Sequence, residues 1–89
     1  MYSIYNTDET REKLKNANRI STSISNRLDE LEQNPFTVAI STNIPRIGDY
    51  YVNAGRYCIL FDIDPLSESI YVRDVVLSAK LHKILTGRI

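Results

Sequence analysis

The chain has 89 residues, a formal net charge of zero, a pI near 6.6 and one cysteine. That length predicts one domain, residues 1–89, with one modest core burying about 60–65% of the unfolded chain's surface. The charge balance lacks the basic surplus of a general nucleic-acid binder, no stretch approaches the ~18 apolar residues of a membrane span, and a single cysteine excludes an intrachain disulfide and a multi-cysteine metal site.

The first residues, Met1 to Asn6, hold no basic segment followed by an apolar run, which predicts no secretory leader and a cytoplasmic location. Tyr2-Ser3-Ile4-Tyr5 alternates and predicts a short strand. Thr7 and Asp8 are candidate helix caps, and Glu9 and Glu12 make the first turn acidic, in favour with the helix dipole. Leu14, Ala17, Ile20, Ile24, Leu28 and Leu31 then recur in steps of three and four, a single helical stripe. The Asn16-Ala17-Asn18 stretch forms helix poorly, because asparagine side chains compete for backbone groups. It predicts a hairpin of two helices breaking there, with one long helix as the alternative. Asn34-Pro35 ends the helical region, since a residue before proline is pushed out of the α region.

Phe36 to Thr42 alternates and reads as an edge strand or an extended connection. Three strand-forming segments follow, ending at Val52, running from Arg56 to Asp64, and running from Ser69 to Val76. The connections at Asn53-Ala54-Gly55 and Asp64-Pro65 are short, so the segments predict an antiparallel meander. The middle one is apolar on both faces, with Tyr57, Ile59, Phe61 and Ile63 on one and Cys58 and Leu60 on the other. A strand of that kind belongs at the centre of a sheet. Leu77 to Thr86 predicts a last helix with Leu77, Leu81, Ile84 and Leu85 on its apolar side, a cationic end at Lys80, His82, Lys83 and Arg88, and a stop at Gly87. The expected fold is α+β: an N-terminal strand, a helical hairpin, a three-strand antiparallel meander completing a mixed sheet with helices against one face, and a short C-terminal helix.

This layout resembles the RelE/ParE superfamily of toxins from type II toxin–antitoxin modules. The end of the helical region, Leu28-x-x-Leu31-x-x-Asn34-Pro35, is similar to the family's leucine and Asn-Pro helix end. Gly55-Arg56-Tyr57-Cys58-Ile59-Leu60-Phe61-Asp62-Ile63-Asp64 resembles its Gly-x-Tyr-Arg-apolar-apolar-Tyr-x-Ile-Asp strand, and Arg46-Ile47-Gly48-Asp49-Tyr50-Tyr51-Val52 mimics its Arg-Val-Gly-Asp-Tyr-Arg-Val string in a second register. The resemblance implies a toxin with a cognate antitoxin as partner. It leaves two targets open, the ribosome with its mRNA, as in the endoribonucleases of the family, and DNA gyrase. A catalytically inactive protein-binding domain of the same fold is the alternative. The arginine that the family places after its tyrosine is Cys58 here, so enzymatic activity is left open.

The catalytic candidates are Arg56, Arg73 and His82. A guanidinium binds phosphate bidentately and stabilises charge in phosphoryl transfer, and His82 is the one side chain whose ordinary pKa lies near neutrality. The structural readings weigh more: Arg56 as an exposed hairpin arginine paired with Asp49 or Asp62, Arg73 as a cross-strand partner of Asp62 or Asp74, and His82 as a solvated helix residue. Tyr51, Tyr57 and Tyr71 offer rings for stacking on bases, and Lys80 and Lys83 offer charge to RNA or another target. The tyrosines suit a packed sheet as well. Cys58 reads as a small buried hydrophobe. No glycine-rich phosphate loop, metal-ligand spacing or Ser/His/Asp set occurs, so no cofactor and no metal are expected.

Overall fold

Thr7 starts the helical layer. In the computed structural model, which describes residues 1–87, its Oγ1 accepts the Thr10 N–H at 3.1 Å, satisfying a donor that a helix start leaves free. Helix α1 runs Asp8–Ile20 and α2 runs Ser23–Gln33. The two-helix reading holds, but the break lies at Ser21 and Thr22, not at Asn16 to Asn18. Ser21 is extended while its N–H still closes on Ala17 O. Ala17 is buried, which keeps that turn helical, and Asn18 turns its side chain to good use by accepting the N–H and hydroxyl of Ser25 in the first turn of α2. Asn34 ends α2 and accepts the Phe36 N–H. Pro35–Thr37 is a 3-10 turn rather than strand, which leaves strand β2 only Ile40–Ser41.

The sheet order is β1-β5-β4-β3-β2, with β1 at Ser3–Tyr5, β3 at Tyr50–Ala54, β4 at Tyr57–Asp64 and β5 at Ser69–Leu77. β1 pairs parallel with β5, and the other neighbours pair antiparallel. The meander is therefore present, with β4 flanked on both sides. One face of the sheet carries Val52, Ala54, Ile59, Phe61, Ile70 and Val72 against Leu14, Ala17, Ile24 and Leu31 of the two helices. An aromatic chain closes one end of this layer: Tyr2 lies edge-on to Phe36, Phe36 edge-on to Tyr50, and Tyr50 stacks on Phe61 with ring centroids 6.0 Å apart. Helix α3 (Ser78–Leu85) lies on the opposite face, where Leu81 covers Cys58, Leu60 and Val76. Helices thus cover both faces, not one, and Leu77 belongs to β5 with its side chain exposed. No helix among the described residues is long and apolar enough to cross a membrane. Arg88, read with the cationic end of α3, lies outside the described residues.

A bulge decides which side of β5 faces which helix. Leu60 pairs with Asp74 and Phe61 with Val72, so Arg73 is an extra residue without a partner on β4. Simple alternation from Val72 would put Val76 with the α1–α2 layer. The extra residue inverts the phase, so Val75 packs on that layer and Val76 packs under α3.

Short outer strands leave two stretches of sheet edge open, and side chains meet both. Arg27 Nε donates to Asn53 O at 2.7 Å beyond the reach of β2. Past the end of β1, Asp74 Oδ1 accepts the Val75 N–H at 2.8 Å and also Lys13 Nζ at 2.8 Å. Charged groups on an edge discourage unwanted strand pairing. The hydrogen bond to Asp74, and then its charge, hold the Lys13 pKa above the ordinary 10.5. The ammonium form is favoured by folding, so its contribution is complete below 10.5 and is lost as pH rises through the folded-state pKa. In urea titrations the stability gap between wild type and Lys13→Met is expected to stay constant from about pH 7 to 9 and to close at higher pH. A gap that widens on the alkaline side would contradict the pairing.

The β3–β4 turn is tied to the break between the helices. Gly55 has φ +65°, and a Cβ there would sit 2.5 Å from Ser21 Oγ. Gly55→Ala is expected to cost about 1–3 kcal/mol through backbone strain and that collision. Adding Ser21→Gly should recover the steric part and leave the strain, as read from urea midpoints of the single and double variants.

Candidate functional site

Helix α3 divides the second sheet face into two hollows. On one side Lys80 and Ile84, a helical turn apart, look across Leu60 and Val76 to Arg46, Ile47, Arg73 and Asp74, enclosing about 240 Å³. On the other side Tyr51, Asn53, Cys58, Ser78, Leu81, His82 and Leu85 enclose about 200 Å³.

The first hollow has an apolar floor and a charged rim. Arg46 is presented by the loop between β2 and β3. Buried Thr42 shapes that loop: its hydroxyl donates to Gly48 O and accepts the Ile44 N–H at 3.0 Å. Asp62 ties the loop to the sheet by accepting the Asp49 N–H at 2.8 Å through Oδ1 and Arg73 at 2.8 Å through Oδ2. Arg73 completes the clasp with a hydrogen bond of 3.3 Å to Arg46 O. The Asp62 and Asp74 carboxylates are therefore committed, Asp62 to Arg73 and Asp74 to Lys13. Among the described residues Arg46 and Lys80 form no ion pair within 4.0 Å. Two cations without acidic partners above an apolar floor suit an anionic ligand with an apolar part.

The second hollow brings Cys58 and His82 to one cavity, which their sequence positions do not suggest. The thiol is 2% exposed, donates to Asn53 Oδ1 at 3.2 Å and lies 3.4 Å from Ser78 Oγ. Its role is that of a packed core group with satisfied polar neighbours.

The candidate residues do not come together at one place. Arg73 and Lys80 meet in the first hollow, while His82 and Tyr51 line the second. Arg56 lies in the turn before β4, not in the strand beside Cys58. It forms no ion pair with Asp49 or Asp62, and its carbonyl accepts the Ser78 N–H at 2.8 Å. Arg73 sits opposite Leu60 and Phe61, so at ~3.3 Å of strand per residue it is more than ~10 Å from Arg56. Tyr57 packs into the α1–α2 core on the other face. Lys83 is exposed in the last turn of α3. Tyr71 lies on the open part of the second face, stacked on Tyr5. Arg46 and Tyr5 stand here without having been among the expected site residues. The signal for Arg46 was its place in the Arg-Ile-Gly-Asp-Tyr string, and that for Tyr5 was its alternation with Ile4.

No family model, curated protein or solved structure matches this chain.

Proposed function

We propose that the protein is a toxin of the RelE/ParE type that arrests growth by engaging RNA of the translation machinery in the hollow between α3 and the sheet. The observation that carries this reading is the meeting of Arg46 and Lys80, without acidic partners among the described residues, beside Arg73. Phosphate-rich RNA satisfies that charge, whereas nothing in the hollow selects for gyrase. The order of strand, two helices, meander and helix, together with the Gly55 to Asp64 string, supports the toxin class. A cognate antitoxin would neutralise the protein by laying an acidic segment over the same hollow.

The second reading, binding without cleavage, is favoured by one observation. Arg73 is held by Asp62, and His82 lies across α3 from it, so a histidine base and the arginine do not face a common substrate position. Controlled expression in a bacterium separates the possibilities. Labelled methionine incorporation is expected to stop early. Cut mRNA in those cells marks an endoribonuclease, and intact mRNA marks blockade by binding. Gyrase-linked DNA breaks with continuing protein synthesis, or normal growth with folded protein, would sink the RNA reading.

A further inference from the structure

Tyr5 and Tyr71 are register partners across the parallel β1–β5 pair. Their rings stack, with centroids 5.6 Å apart and planes 23° apart. Such a pair secures a three-residue strand to the sheet, yet the two residues remain 52% and 45% exposed. They stand on the second sheet face, beyond the part covered by α3. Asp62 is directly opposite Tyr71 on β4, and Asp62 pairs with Arg73, which lines the hollow with Arg46 and Lys80.

We infer that the Tyr5–Tyr71 stack is a nucleobase platform, and that the ligand of the neighbouring hollow is an unpaired RNA strand, an inference resting on the RNA reading above. Aromatic faces accept splayed bases whatever their sequence, and duplexes keep those faces hidden. The charge pattern assigns the parts of the strand. Asp62 and Asp64, alternating with the core residues of β4, point toward the platform side of the sheet. The Asp64 carboxylate, in no ion pair among the described residues, repels phosphate, so a base occupies the platform. The backbone phosphates lie at the other end, by Arg46 and Lys80. Asp64 accepts the Leu66 N–H at 3.1 Å and keeps an acceptor oxygen for an amino group on a base edge.

The test is fluorescence anisotropy with a labelled single-stranded RNA decamer, its abasic counterpart and the same decamer as a duplex. Tyr5→Ala and Tyr71→Ala are each expected to weaken decamer binding roughly 5- to 100-fold. Tyr5→Phe and Tyr71→Phe should restore it, because a phenyl face still stacks. Wild type should bind the abasic strand and the duplex as poorly as the alanine variants bind the decamer. The abasic and duplex arms need no variant, so they stand even if an alanine change loosens β1. If wild type binds the abasic strand as tightly as the decamer, the platform is overturned, while loss of binding in an Arg46→Glu/Lys80→Glu variant would leave the hollow's role intact. If wild type binds no RNA at all, the RNA reading fails with it.

Discussion

Phe61→Ala is expected to remove a large share of the protein's stability. Phe61 is 0% exposed at the middle of β4, stacked on Tyr50 and packed between the sheet and the two helices. Truncating such a ring costs about 3–5 kcal/mol, partly in lost transfer energy and partly in the cavity left behind. At ~0.05–0.15 kcal/mol per residue, a chain of this length holds only roughly 4–13 kcal/mol in total. For domains of this size each kcal/mol moves the melting temperature by about 4–8 °C, so a drop of roughly 15–30 °C is expected by calorimetry. Phe61→Leu keeps most of the volume and should lose less than half as much. Equal losses in the two variants would mean that the cavity is not the cause.

Arg46→Glu/Lys80→Glu is expected to abolish growth arrest in a protein that stays folded. Both side chains are exposed and neither contributes an ion pair among the described residues, so reversal costs little stability. It turns the rim of the hollow from a surplus of positive charge to a surplus of negative charge, which opposes phosphate at close range. Binding to an RNA decamer should fall at least ~100-fold at low salt, and the remaining affinity should depend less steeply on salt because fewer counterions are released. An unchanged melting temperature with lost RNA binding supports the assignment. Full toxicity in this double variant would move the functional surface elsewhere.

Asp62 links these two results. It follows Phe61 directly, and alternation points it to the opposite face, where it holds both Arg73 and the loop that carries Arg46. The most buried ring of the core and the clasp of the candidate site are neighbours on one strand. A register slip of one residue on β4 would destroy both together.

Much of the fold was legible in the residues because its signals are local. The thin apolar stripe of the helices, Thr7 as cap, the stop at Asn34-Pro35 and the two apolar faces of β4 each depend on a few neighbouring residues. The helix break was misplaced because a local rule met a tertiary one: burial of Ala17 and the use of Asn18 by α2 keep a weak helical turn intact. The site was less legible. Arg73 and Lys80 share a hollow, and Arg56, Tyr57 and His82 do not join them. Their separation follows from the turn at Gly55 and from the path of α3 across the sheet, neither of which is encoded in spacing.

By itself, then, the sequence determined the order of the main helices and strands, the central place of β4 and the face each of its side chains takes, because pleat and helix periods act over a few residues. Only the tertiary structure decided the rest. The bulge at Arg73 inverted the end of β5, putting Val76 under α3, which lies on the face opposite the other helices. Pairing Asp62 with Arg73 and Asp74 with Lys13 left Arg46 and Lys80 to supply the charge of the hollow. One extra residue in a strand and the choice of partner for two carboxylates are long-range outcomes, set by which strands and helices come to lie together.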